Sequence, residues 1–312
     1  MVKFIFKRVI YLWSLLIGIS FLSFILANIA PVDSAEAYVR RISKTADETM
    51  IEEYREKWGF NQPILKQYFQ WLGNVQRLDF GNSYITRKPV TQEIVAVIPT
   101  TLRLAGLASV LILIMAIPLG ILSAMYEKKL VDKLICGVSF FFISVPSYLS
   151  GLLCLLVFGL YLGWIPVIGH GHLGSIFFAS FILALPMVGT LIRILRASLI
   201  ENKSSEYVKY AQARGISKCK IMINHLLRNA APNCIVMFGQ NVGYLIAGTA
   251  IAETIFSAPG LGQYALNAVV NRDFPVINGY IVLMAFCFVL FNTLAEICGM
   301  LLNPELNREA YK

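Results

Sequence analysis

"EYVKYAQARGISKCKIMINHLLRNAAP" occupies residues 206–232 and stands between two long oily segments. It is basic, it carries tyrosines at 207 and 210, and Gly215 breaks it once. An apolar run of about 20 residues spans the hydrocarbon core of a bilayer. The runs at 176–199 and 234–252 both qualify, so the quoted stretch is a charged hairpin between two crossings.

The rest of the chain is of the same kind. Its 312 residues are 57% hydrophobic and only 14% charged, against about a quarter charged in soluble domains. Such a surface faces lipid. Six spans are expected: 9–30, 99–125, 134–160 with an interruption at Pro146, 176–199, 234–252 and 279–302. A cleaved signal peptide is the rival reading of the first. Its apolar run is long for one and no clean A-x-A site follows, so it reads as a signal anchor.

Charge then orients the bundle. Residues 31–98 hold nine Lys/Arg and nine Asp/Glu, a balance of zero, whereas 193–228 hold eight and two, a balance of +6. Lys3, Lys7 and Arg8 open the chain, and Lys128, Lys129 and Lys133 fill the loop after the second span. Cytoplasmic loops are the Lys/Arg-rich ones. Both termini and the hairpin are therefore expected inside, with 31–98, 161–175 and 253–278 outside. Within 31–98, two amphipathic helices are expected, split at Gly59–Pro63, packing as a cap on the outer face of the bundle.

Several chemistries are excluded or weak. No G-x-x-x-x-G-K-[ST], G-x-S-x-G or H-E-x-x-H occurs, so neither a P-loop nor a common hydrolase site is present. His170 and His172 form a lone H-x-H without an obvious third ligand, and no metal site is expected. The six cysteines make no C-x-x-C pair. Of the ionisable residues in or beside spans, Glu296 is placed deep, Arg193 and Arg196 snorkel at the inner end, and Arg103 and Glu253 lie near outer ends. Ion-coupled carriers more often bury several such groups. An ion-coupled secondary transporter or channel working without an ATPase is thus the alternative reading. Pro118, Pro146 and Pro186 can kink spans that line a moving cavity.

Within the hairpin, Ser204 or Ser205 can cap a helix that begins at Glu206. Tyr207, Tyr210 and Ala211 fall at i, i+3 and i+4 and are expected to form its apolar face. Gly215 stops that helix, and Ser217 can cap a second. A DNA-binding helix-turn-helix would need its own core, which so short an insert lacks, and no nucleic acid is expected. A small basic helix with an apolar face reads as a docking knob for a cytoplasmic protein.

Glu206, Tyr207, Val208, Ala211, Ala213, Gly215, His225, Leu227, Arg228, Asn229, Ala230 and Pro232 together resemble the cytoplasmic EAA loop of ABC importer permeases of the dipeptide/oligopeptide/nickel family. "LDFGNSY" (78–84), "SVPSYL" (144–149), "FSAPGLGQYALNAVVNRDFPVING" (256–279) and "LLNPEL" (301–306) are similar to that family's landmarks, so the resemblance covers nearly the whole chain. Gln212 departs from it, standing where an arginine is frequent.

The resemblance implies an all-α membrane protein of the type I importer permease fold. It divides the chain into 1–98 (first span plus extracytoplasmic segment), a permease core 99–302 containing the coupling loop 200–232, and a tail 303–312. It implies a permease subunit, not an enzyme, in a bacterial inner membrane, importing peptides, nickel or a metal chelate. The implied partners are a homologous second permease, two cytoplasmic ABC ATPases that bind the ATP and Mg²⁺, and an extracytoplasmic solute-binding protein. No cofactor is expected on this chain. Glu206, Tyr207, Ala211, Ala213, Arg214, Gly215, His225, Arg228 and Asn229 are the expected coupling residues, and a bulky charge at Ala211 or Gly215 is expected to uncouple transport. Ser144, Ser147, Gln240, Asn241, Tyr244 and Asn292 are candidates to line the path. Glu253, Arg272 and Asp273 are candidates to touch the binding protein.

Overall fold

A computed structural model describes residues 2–29, 33–43, 47–166 and 173–302. Among them the chain is all helical, apart from one isolated bridge between Asn82 and Pro89. In chain order the helices are α1 (Val2–Ile29), α2 (Ser34–Ile42), α3 (Glu48–Trp58), α4 (Ile64–Val75) and α5 (Val90–Met125). Then come α6 (Leu130–Ser144), α7 (Ser147–Cys154), α8 (Leu173–Asn202) and α9 (Glu206–Ala213). α10 (Lys218–Ile221), α11 (Leu227–Ile255), α12 (Leu261–Asn271) and α13 (Phe274–Leu302) complete the set.

Five of these segments are long and apolar enough to cross a membrane, and six if α6 and α7 count as one. The expected third span is not a straight crossing. α6 and the segment from α7 to Tyr161 meet at 98° across Val145 and Pro146. A residue before proline is driven into extended backbone, and Val145 adopts φ −80°, ψ 124°. The second span begins earlier than expected, at Val90 rather than Pro99. A proline surrenders only its own N–H and crowds one carbonyl, so α5 runs on through Pro99 and Pro118, α8 through Pro186 and α11 through Pro232.

The chain forms two compact units. The first joins Met1–Thr101 with Pro259–Val289, so it takes in a late segment that the expected boundary at 98 left to the core. Three helices, not two, fill the segment after α1. Asp33 accepts the Glu36 amide at 2.8 Å and starts α2, and Arg40 and Arg41 complement its C-terminal dipole. Gly59, at φ 75°, closes α3. On α4, Tyr68 is buried edge-on against the rings of Phe21 (5.1 Å) and Phe24 (5.4 Å) of α1, and its hydroxyl meets Ser20 Oγ at 3.0 Å. A second cluster packs Val90 and Ile94 on Leu261, Ala268 and Val276.

The second unit joins Leu102–Ala258 with Leu290–Lys312. α8 is its axis, with Val188, Leu191, Ile192, Leu195 and Leu199 all buried. α11 and α13 approach closely: a Cβ built on Gly239 would lie 2.6 Å from Ala295 Cβ. Small residues at such contacts let helix backbones pack without a hydrophobic drive from water.

Candidate functional site

α9 is the short helix that the hairpin was expected to contain. Ser205 occupies its N-cap position with extended backbone (ψ 147°), but no side-chain bond closes the cap, and Ser217 before α10 behaves the same way. The backbone carbonyl of Ser205 accepts the amides of Val208 and Lys209 instead. Gly215 sits at φ 74°, a left-handed conformation that side chains disfavour, and turns the chain after α9. The second helix is not a separate piece. α10 passes through a π-helical turn at Met222–Leu226 into α11, so one 38-residue segment from Lys218 to Ile255 is both the hairpin's second arm and the fifth span. The expected start of that span at 234 is corrected accordingly.

The buried face of α9 differs from the expected one. Val208 (1% exposed) and Ala211 (4%) point inward, joining Ala124, Leu195, Leu199, Ile221, Met222, Leu226 and Ala230 in one cluster. Tyr210 is 67% exposed and Tyr207 is also exposed. A seat only wide enough for Val and Ala leaves tyrosine outside, where its hydroxyl stays wet. Ala211 therefore anchors the helix and does not belong to its outer face. Glu206, Tyr207, Lys209, Tyr210 and Ala213 line that outer face, and the Arg214 guanidinium lies 5.9 Å from the Tyr210 ring. Gly215, Arg228 and Asn229 are exposed and His225 is half-buried.

Sequence reasoning missed the fixture beside this helix. Asp132, at the start of α6, is 3% exposed. Its Oδ1 accepts Arg196 Nε at 2.6 Å and Ser123 Oγ at 2.5 Å, while its Oδ2 accepts a second Arg196 nitrogen at 2.7 Å and the Lys128 amide at 2.8 Å. Such bidentate pairing fixes orientation as well as charge. Lys203, in the link from α8 to α9, donates to the Ala124 carbonyl at 2.7 Å and pairs with Glu127 at 3.2 Å. Arg196 is thus paired and not merely snorkelling. An acid opening an apolar helix, with Lys128 and Lys129 before it and Lys133 after it, was the available signal.

The path candidates all fall in the second unit. Ser144 is exposed and Ser147 half-buried, on either side of the α6–α7 break. Gln240, Asn241 and Tyr244 share about one turn of α11, the first two half-buried and Tyr244 exposed. Asn292 is half-buried on α13, one turn before Ala295.

Two of the three outer candidates are corrected. Glu253 is 0% exposed, the deepest carboxylate described, while Glu296 is only half-buried. Asp273 is buried as well, accepting Ser83 Oγ at 2.5 Å and the Tyr84 amide at 3.0 Å. Burial pushes its pKa above the usual carboxylate range, against the pull of those donors. Both side chains are buried inside the chain and not presented at its surface. Arg272 is half-buried with a left-handed backbone (φ 55°), and its carbonyl accepts Ser34 Oγ at 2.6 Å. His170 and His172 lie outside the described residues. Among those described, no three His, Cys, Asp or Glu side chains could hold a metal together.

Residues 116–308 match the family described as binding-protein-dependent transport system inner membrane component, and residues 1–105 match its N-terminal membrane component. The chain belongs to this family. The permease is 35% identical over 311 residues to the metal-staphylopine import system permease protein CntB of Staphylococcus aureus, covering 99% of this chain and all of that one. It is 30% identical over 306 residues to the glutathione transport system permease protein GsiC of Escherichia coli K12, covering 98% and 99%. Its fold is shared with a chain of the MetNI methionine ABC transporter (TM-score 0.59, 16% identity, 68% of this chain and 97% of that one). This is the type I importer fold. The permease is a multi-pass inner-membrane subunit of an ABC importer that works with ATPase subunits and a substrate-binding protein. A self-powered carrier or channel has no support left.

Proposed function

We propose that α9 is the joint through which a cytoplasmic ATPase drives this permease. One observation carries the reading: α9 is buried on one face and bare on the other. Val208 and Ala211 weld it to the ends of α5, α8 and α11, and Tyr207, Tyr210 and Ala213 remain on the surface. A push on the outer face passes into the spans without being lost in a loose loop. ATP and Mg²⁺ bind to two such ATPases and not to this chain. The permease pairs with a homologous second permease, both termini face the cytoplasm, and residues 99–302 form the moving core ahead of a tail at 303–312. Ser144, Ser147, Gln240, Asn241, Tyr244 and Asn292 contribute to the path. The cargo is peptide-like or a metal chelate, the range spanned by the names of the two relatives.

Site-directed crosslinking tests the joint. Tyr210→Cys should crosslink to an ATPase cysteine in the assembled importer, and Ala211→Cys, which faces inward, should not. Absence of any ATPase adduct from Tyr210→Cys in an assembled, active importer would sink the proposal.

A further inference from the structure

The first unit encloses a cavity of about 540 Å³ between α3, α4 and the 81–84 segment. That is the size range of small-ligand sites, which are usually apolar cups with a few placed polar groups. One wall is a stripe of α4. Gln67, Gln70, Trp71 and Asn74 fall at i, i+3, i+4 and i+7, and all four line the cavity. The adjacent face of α4 holds Tyr68 against α1, and Trp71 of the stripe packs on Phe24 of α1 at 5.2 Å, so the stripe sits on a fixed helix. The Trp71 indole nitrogen is buried and has no acceptor among the described residues. A buried donor left unpaired costs free energy comparable to a lost hydrogen bond.

A second wall is aromatic and stiff. The Trp58 and Tyr84 rings stack at 4.0 Å with 5° between planes, and Phe60 meets Tyr84 edge-on at 6.0 Å. Behind them the Arg87 guanidinium lies 4.4 Å from the Tyr38 ring and 5.1 Å from that of Trp58, bracing the stack from the far side. Arg55, the one cation in the lining, is already paired: it donates to Asp33 at 2.6 Å and reaches Glu52 at 3.4 Å, which leaves one carboxylate charge in excess. No cation is left to call for a carboxylate or phosphate. Gln67 spends its amide hydrogens on the Phe60 and Gln62 carbonyls, so what remains is the side-chain amides of Gln70 and Asn74, each both donor and acceptor, an indole donor and an aromatic wall. A peptide main chain is the ligand whose groups match all three.

We propose that this cavity binds a short free peptide, reading its main chain with Gln70, Trp71 and Asn74 and one apolar side chain with Trp58 and Tyr84. The site shares no residue with α9, so it does not depend on the coupling proposal. The probe is the blocked tripeptide N-acetyl-Ala-Phe-Ala-amide, titrated by ligand-observed NMR against the complete importer in nanodiscs. We expect saturable binding that weakens about three- to tenfold in Trp71→Phe, the worth of one hydrogen bond. Gln70→Ala/Asn74→Ala, two accessible positions, should weaken it likewise. An analogue N-methylated at Phe and the last Ala should bind less well too. ATPase activity should be unchanged in both variants, which shows the complex intact. Equal binding by wild type and both variants, no binding at all, or indifference to N-methylation would overturn the proposal. Variants that lose affinity for the solute-binding protein while the tripeptide never binds would also overturn it, and would make the cavity a seat for that protein.

Discussion

Val208 and Tyr210 lie two residues apart on α9 and separate its anchorage from its contact face. Val208→Ala removes two methyl groups from a side chain that is 1% exposed. At about 0.8 kcal/mol per buried methylene-sized group, with some cavity cost, the loss is about 2 kcal/mol. An isolated helix of eight residues does not hold itself together in water, so the loss falls on local opening of α9. An opening equilibrium shifted by about 2 kcal/mol changes about 30-fold. Amides across residues 207–213 of the purified permease should therefore exchange with deuterium about 30-fold faster, as read by mass spectrometry. Tyr210→Ala should leave that exchange unchanged and instead weaken assembly with the ATPase about tenfold, a loss of about 1–2 kcal/mol for an interface aromatic. Both variants should hydrolyse ATP with reduced transport per turnover. If Val208→Ala leaves exchange at wild-type rates, or Tyr210→Ala raises exchange while assembly is untouched, the division of α9 into an anchored and a docking face is wrong.

Arg196→Met leaves Asp132 buried with only its hydroxyl and amide donors. Breaking a buried pair costs about 3–5 kcal/mol, which we discount to about 2 kcal/mol because Arg196 is 26% exposed. Thermal unfolding should show the loss, and Asp132→Asn in the same chain should recover most of it. Gly239→Ala should destabilise the second unit by about 1–3 kcal/mol through overpacking on Ala295, and Ala295→Gly should rescue it. For Asp273 the folded pKa is raised by burial, so its stabilising contribution is complete below the ordinary carboxylate pKa and is lost as pH rises through the raised value. The melting temperature of the wild type relative to Asp273→Asn should therefore fall as pH rises above the ordinary carboxylate pKa of about 4, and a difference that stays flat would contradict the burial argument.

What was legible depended on how local the signal was. The apolar runs gave the spans because length and hydropathy are properties of a segment. Gly215 gave the turn because only a residue without Cβ takes φ 74° at ease. The tyrosines misled: Tyr207, Tyr210 and Ala211 do share a helical face, but periodicity cannot say whether the bundle offers a seat wide enough for rings. The helix α2 was missed because only Ser34, Ala35 and Val39 of it are buried, too thin a stripe to stand out.

Membrane residence, the expected orientation and the charged hairpin follow from sequence alone, since the cost of placing charge in hydrocarbon depends on residue type and position along the chain. Only the tertiary structure could pair Asp132 with Arg196, 64 residues later, or bury Glu253 and Asp273, which the sequence placed at an accessible edge. It alone brought Trp58, Trp71 and Tyr84 around one cavity. Burial and hydrogen bonding are settled between segments, by which surfaces meet, and no single segment carries that information.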